Sequence, residues 1–308
     1  MDWRVKGYIQ RVLDVAPGGV AVNDLLQRLN GGRKNVGGHI GVKFRADWLV
    51  HMDHLNQLGF TLPGKTMMEI GTGWLPVMPL CFALAGMSRC FTVDLRRHLG
   101  MPAVMLTLRH LEPHLADIAR VSAQTEAQVR ERWSRWMALG DGAAVLQAAG
   151  IVYKAPGDAT ATGLPDGSVD LVFSNSVLEH VPPVVLDAMM TETHRILSAE
   201  GLAIHNVNCG DHYAYFDRSI TQIHYLRYAE KDWRKWNTDL QYQNRLRAVD
   251  FLAAARKAGL EIVLDTHKPR KELLARIQDM PIAEEFRRYP VEELCCTSID
   301  FAARKARH

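Results

Sequence analysis

The run Glu69-Ile-Gly-Thr-Gly73 places a carboxylate two positions ahead of the first of two glycines. Glycine reaches positive φ without steric cost and lets a ligand lie close to the backbone. The residues before it, Thr66 to Ile70, are apolar apart from Glu69, as in a strand buried on both faces. Those after it, Leu75 to Ala85, are apolar with Pro76 near the start, where a helix loses nothing from a missing N–H. Strand, glycine turn and helix N-terminus together form a site for an anionic or carboxylate-bearing ligand. Asp94 ends the next apolar run, 23 positions beyond Gly71. That is close to the offset of roughly 20 at which a Rossmann-like sheet sets an acid against ribose hydroxyls, although a strand-terminal Asp is also a good helix cap. A third acid stands in Gly157-Asp158-Ala159. Farther on, the segments His205–Asp217 and Ile223–Tyr228 crowd together groups that bind or deprotonate polar substrates: Asn208, Asp211, His212, Tyr213, Tyr215 and His224.

Two cofactor classes use a glycine turn of this kind. A nicotinamide site shows G-x-G-x-x-G, and here the third glycine's position holds Pro76. Glu-Ile-Gly-Thr-Gly instead resembles the first motif of the class I S-adenosylmethionine-dependent methyltransferases, although Leu75 stands where that family often has a third glycine. Gly157-Asp-Ala, Leu164-Pro-Asp-Gly-Ser168, Val169-Asp-Leu-Val-Phe-Ser174 and Leu178-Glu-His-Val181 resemble the matching region of its small-molecule "methyltransferase type 11" group. The motifs span about residues 66 to 209 in the family's order. The resemblance implies S-adenosyl-L-methionine as cofactor. Glu69, Gly71, Thr72 and Gly73 would hold its methionine part, and Asp94 its ribose hydroxyls, with Leu95 beside the adenine. Asp158 would accept from the adenine amino group, Ala159 would line the ring, and Ser174 and Asn175 would close the site near the sulfonium.

A sulfonium already makes its methyl group electrophilic, so the protein must align a nucleophile and exclude water. A base helps if the acceptor is a hydroxyl. His212 is the first candidate, oriented by Asp211, and His180 is the second, although a histidine after Leu-Glu is often structural in this family. Asn208, Tyr213, Tyr215 and His224 are candidate substrate-binding residues. The expected activity is methylation of a small or medium-sized metabolite at oxygen. Use of the cofactor's other carbons, releasing methylthioadenosine, is the alternative. A nucleic-acid or protein methyltransferase is less favoured, because Asn175 is followed by Ser-Val-Leu and the charge forms no basic stripe. A non-catalytic partner subunit keeping only the fold is the last reading, and the presence of Asp94 and Asp158 argues against it.

The elements that must position these residues follow from pattern. At 308 residues, with 47% hydrophobic content and a net charge of +3 from 37 basic and 34 acidic residues, the chain has an ample core and no field for nucleic acid. The expected fold is α/β: a Rossmann-like, seven-stranded, mostly parallel sheet with an antiparallel last strand. Strands are expected at 66–70, 89–94, 151–154, 169–174, 201–207, 260–265 and 294–301, and helices at 191–197, 246–258 and about 272–279. An N-terminal helical cap (1–60) includes helical spacing over 5–13 and 22–29, a glycine-rich connector or lid over 30–41, and a helix over 44–58. The methyltransferase domain (61–308) carries insertions at about 101–149 and 210–245. The first holds helices at 103–118 and 126–139, with Trp133 and Trp136 on one face as packing or a substrate wall. The aromatic stretch 213–243 reads equally as a cover for the acceptor or as lobe core. His110 and His114 are four apart, but Pro113 between them argues against a metal. Asp211 with His212 is a thin basis for an ion, so no metal is expected. Five cysteines without a CxxC pair suggest buried free thiols, and Leu75–Met87 is too short for the roughly 20 residues of a bilayer span. With no signal-peptide pattern at the N-terminus, these features suggest a soluble cytoplasmic protein.

Overall fold

A computed structural model describes residues 2–19, 22 and 36–306. Its strands are β1 (Thr66–Ile70), β2 (Arg89–Val93), β3 (Ile151–Lys154), β4 (Val169–Asn175), β5 (Leu197–Asn208), β6 (Leu260–Asp265) and β7 (Ser298–Lys305). They form one sheet in the order β3-β2-β1-β4-β5-β7-β6. All pairings are parallel except those of β7, which runs antiparallel to β5 and β6. This is the Rossmann-like α/β fold anticipated from the pattern. The strand order reverses between β1 and β4, and ligands of open α/β sheets sit beyond the carboxyl ends of strands at such a switch point.

Both faces of the sheet are covered, which explains why β1 is apolar apart from Glu69. Met67 packs into the core on one face and Met68 into the core on the other. The first face carries α4 (Val77–Leu84), all eight of whose residues are buried. It also carries the helices of the first insertion: α5 (Met101–His110), α6 (Leu115–Val121), α7 (Glu126–Ala138) and α8 (Gly142–Ala148). The second face carries α9 (Pro183–Ile196) and α10 (Ala248–Lys257).

The N-terminal segment departs from expectation. Helix α1 (Trp3–Val15) starts where the Asp2 side chain accepts from the Arg4 amide at 2.7 Å. The expected helix over 22–29 lies outside the described residues apart from Val22, and so does the start of the glycine-rich stretch. The remainder of that stretch is helical. Val36–Val42 (α2) runs through a π-helical segment, Lys43–Trp48, into α3 (Leu49–Gln57). Packing overrides the poor helix propensity of its glycines. Ile40, Phe44, Trp48, Met52 and Leu55 are buried along one stripe, and Gly37 admits the His110 ring, which a Cβ there would approach to 2.8 Å. His114 stacks on Phe44 with centroids 4.3 Å apart, so the two histidines serve packing.

Other boundaries move for local reasons. The helix expected at 191–197 begins eight residues earlier, with Pro183 in its first turn. Val291–Leu294 is a helical turn led by Pro290, so β7 begins at Ser298 and not at Leu294. The helix expected near 272–279 is Lys271–Arg276 followed by a 3-10 turn, Ile277–Asp279. Trp136 is buried, and the Trp133 indole N–H donates to the Leu108 carbonyl at 2.8 Å, so the pair packs α7. The aromatic stretch 213–243 is lobe core. Tyr213, Tyr225, Trp233 and Trp236 cluster with Trp3 of α1, whose ring meets the edges of Trp236 and His224 at 4.9 and 5.0 Å. All five cysteines are buried and free. Among the described residues, no helix is long and apolar enough to cross a membrane.

Candidate active site

At the end of β1, the Gly71 amide donates to the Val93 carbonyl at 2.8 Å, tying the turn to β2. Gly71 and Gly73 have φ of +85° and +69°, which L side chains rarely adopt. A Cβ on Gly71 would lie 2.4 Å from Val177 Cγ2, so this glycine is needed for the close approach of the segment after β4. A Cβ on Gly73 would meet nothing within 4 Å, so that turn faces open space. The Gly73 amide lies 3.2–3.3 Å from both carboxylate oxygens of Asp94. Asp94 is buried beyond the end of β2, with Leu95 beside it largely exposed.

Tyr153, in β3, was missed by sequence reasoning. Its hydroxyl donates to Asp94 Oδ2 at 2.9 Å and accepts from the amides of His98 and Leu99. Glu69 lies beneath the turn, almost fully buried, and accepts from the Thr92 hydroxyl at 2.6 Å. Burial pushes its carboxyl up to about 7. Thr72 is buried too and pairs with the Thr92 hydroxyl, so its side chain supports Glu69 from within. Asp158 is exposed beyond β3. It accepts from the Thr160 amide and hydroxyl, both at 2.7 Å, which hold its carboxyl below the usual range. Ala159 beside it is half-buried.

Alternation along β4 separates Ser174 from Asn175. Ser174 is fully buried, its hydroxyl 2.7 Å from His205 Nδ1, so it faces this histidine and not an open site. Asn175 faces the N-terminal helices. Its Oδ1 lies 3.2 Å from His51 Nε2, and its amide donates to Asp47 at 3.3 Å. His54 meets Asp300 at 3.3 Å, and Asp300 accepts from Asn206 at 2.6 Å. Asp47 comes from the π-helical segment, a feature often found at functional sites. Burial pushes His51 down to about 4 and His205 to about 3, leaving both neutral near pH 7.

The residues after β5 divide into two groups. Asp211 does not orient His212. It caps the 3-10 turn His212–Tyr215 by accepting from the Tyr213 amide at 2.9 Å, and its Oδ2 faces His224 Nδ1 at 3.4 Å. Tyr213 donates to the Trp236 carbonyl at 2.7 Å within the aromatic core, and His224 is buried against Trp3. Asp211, Tyr213 and His224 therefore build the lobe, because the turn sends consecutive side chains in different directions.

The other group stays open. Asn208 donates to the Tyr215 hydroxyl at 2.6 Å, and the Tyr215 ring lies 5.8 Å from His212. His212 and His180 face each other with ring centroids 5.1 Å apart. Burial first, then His180 and Lys6, push His212 down to about 3; burial lowers His180 as well. Glu179, also missed, lies beside them, 1% exposed and without a well-formed hydrogen bond to either carboxylate oxygen. The amides of Glu179 and Asn208 only partly offset its burial, which pushes its carboxyl up to about 8. Lys6 of α1 lies over the Phe216 ring, its ammonium brought down to about 7 by burial and partly sustained by Asp211.

Residues 138–205, from the end of α7 through most of β5, match the methyltransferase domain family. No curated protein sequence matches the chain. Among solved structures, it is similar to geranyl diphosphate C-methyltransferase from Streptomyces coelicolor A3(2), with 12% identity over 90% of this chain and 85% of that one and a TM-score of 0.45. It is also similar to phosphoethanolamine N-methyltransferase 2 from Haemonchus contortus, with 15% identity over 84% of this chain and 53% of that one and a TM-score of 0.45. The sheet order with its reversed last strand and the glycine turn leading to Asp94 show a Rossmann-like fold, and residues 138–205 within it carry the methyltransferase-domain match.

Proposed function

We propose that the chain methylates a small or medium-sized metabolite at oxygen, with the cofactor held along the carboxyl ends of β1, β2 and β3. The observation carrying this reading is the meeting of Asp94 with the Gly73 amide at an open glycine turn. A buried carboxylate positioned by an amide and a tyrosine hydroxyl is suited to accept from two ribose hydroxyls. Leu95 and Ala159 offer apolar surface to a ring, and Asp158, ionised and exposed, offers an acceptor beyond it. In this reading the glycine turn faces the methionine part, with Glu69 buried beneath it. In this reading residues 1–60 form a cap over the domain 61–308, and the insertion 210–245 bounds the acceptor side.

When bound, the cofactor supplies a methyl carbon made electrophilic by its sulfonium. This reading puts the acceptor beside Asn208, Tyr215, His180 and His212, where two neutral imidazoles can accept a hydrogen bond from a hydroxyl and bring its oxygen into line. The five buried free thiols and the nearly balanced charge fit a cytoplasmic enzyme acting on a small molecule.

Calorimetry with S-adenosylhomocysteine tests the reading. Wild type binds, and Asp94→Asn weakens binding about 10- to 100-fold, the worth of a charge-assisted hydrogen bond at about 1.5–3 kcal/mol. Absence of binding to wild type, or equal binding to the variant, overturns it. Turnover that releases methylthioadenosine overturns methyl transfer as the reaction.

A further inference from the structure

The cluster beside the acceptor side carries more than an imidazole pair. Glu179, His180 and His212 each offer one donor atom, and the three atoms lie within 4.8 Å of one another. They come from different parts of the chain. Glu179 and His180 belong to the 3-10 turn after β4, and His212 opens the turn after β5. Residues 242–244 knit the two turns together: the Asn244 amide donates to the Glu179 carbonyl at 2.8 Å, and the His212 amide donates to Gln243 Oε1 at 3.4 Å.

Three features distinguish this cluster from a chance gathering of polar groups. Glu179 is 1% exposed, with no well-formed hydrogen bond to either carboxylate oxygen, although buried carboxylates are costly unless paired or bound to a metal. His212 Nε2 is likewise buried without a partner. His180 Nδ1 lies 2.6 Å from the Tyr242 carbonyl, which can only accept, so Nδ1 carries the proton and Nε2 the free lone pair. Metal-ligating histidines are oriented by such an outer hydrogen bond.

Resting on the methyl-transfer reading, we propose that Glu179, His180 and His212 bind a divalent transition-metal ion that holds the acceptor's hydroxyl oxygen. Two imidazoles and one carboxylate suit zinc, manganese, iron or cobalt, not the all-oxygen preference of magnesium or calcium. With metal–ligand bonds of about 2.0–2.2 Å, tetrahedral ligands stand roughly 3.5 Å apart, so binding draws the donors together by about 1 Å. Glu179 forms the floor, and His180 lies at the exposed rim. Three protein ligands leave a position open on that side, the arrangement of catalytic and not structural sites. The ion makes the bound hydroxyl more acidic, so that it releases its proton to solvent. The oxygen forms a bond to the methyl carbon as the carbon–sulfur bond breaks, the electron pair passing to sulfur. The products are the methyl ether, S-adenosylhomocysteine and one proton, and the ion is unchanged.

The test is titration of the chelator-stripped, full-length protein with CoCl2, followed by visible absorption and by displacement with ZnCl2. S-adenosylhomocysteine binding is measured on the same samples by calorimetry. Wild type should take up one equivalent of cobalt with new visible bands. Glu179→Gln, an isosteric change that removes the buried acid, and His212→Gln should each bind cobalt at least tenfold more weakly. His267→Gln, which removes an imidazole already engaged with Asp265 and Glu293, should bind as wild type does. All variants should keep S-adenosylhomocysteine affinity within about twofold. No stoichiometric site in wild type, or equal cobalt affinity in Glu179→Gln and His212→Gln, overturns the metal site. Cobalt uptake without any cofactor binding overturns the methyl-transfer reading and leaves the metal site standing.

Discussion

Replacing Glu69 by glutamine should make the protein more resistant to alkaline conditions, an unusual outcome for a change in a ligand-binding motif. Glu69 is 2% exposed beneath the glycine turn, and its one short hydrogen bond comes from Thr92 at 2.6 Å. Burial raises its carboxyl from the usual 4.5 to about 7. The folded chain therefore holds a proton at this position more tightly than the unfolded chain does. The associated stability is fully present below pH 4.5 and is lost as the pH rises through about 7. At 1.36 kcal/mol per pH unit, the full loss is about 3 kcal/mol.

The glutamine side chain would not titrate, and its carbonyl can still accept from Thr92. Urea unfolding of both proteins, followed by circular dichroism at pH 5 and pH 8, isolates the effect because all other groups cancel. The stability of Glu69→Gln relative to wild type should rise by about 2–3 kcal/mol between the two pH values. A difference that stays constant with pH would refute the assignment of a proton to Glu69. A variant that weakens relative to wild type at pH 8 would show that the buried carboxylate is stabilised as an anion.

Two further substitutions test the frame around the turn. Gly71→Ala introduces a side chain at φ +85° and a contact of 2.4 Å with the branched Val177. It should cost about 2–4 kcal/mol in chemical unfolding, and a neutral result would mean that the turn and the segment after β4 do not touch. Tyr153→Phe removes the hydroxyl that links Asp94 to the amides of His98 and Leu99. Cofactor affinity by calorimetry should fall roughly fivefold, the worth of about 1 kcal/mol, and an unchanged affinity would deny Tyr153 any part in holding Asp94.

The parts of this protein that were legible in its sequence are those fixed over short range. Thr66 to Gly73 encode a strand buried on both faces and a turn that only glycine enters, so their geometry follows from residue type. Asp94 needed only the known length of one helical crossover. What stayed hidden depends on contacts across long separations. Tyr153 meets Asp94 from 59 positions away, His51 meets Asn175 from 124, and His54 meets Asp300 from 246. The glycines at 37, 38 and 41 read as a loop because the helix that contains them is held by packing on Met101–His110 of the insertion, where Gly37 meets His110.

Asp211 and His212 show the same limit within two residues. Adjacency suggested a base and its orienter, but the cap of a 3-10 turn sends Asp211 toward His224 and leaves His212 facing His180. Glu179 is the inverse case. It stood in the Leu-Glu-His-Val motif as an ordinary acid, and no pattern marked it for burial. Its chemistry arises from burial: the Asn244 amide holds its backbone carbonyl, while its carboxylate is shut off from water without a well-formed hydrogen bond. A carboxylate so placed must hold a proton or a cation, and two imidazoles with donor atoms within 4.8 Å of it favour the cation.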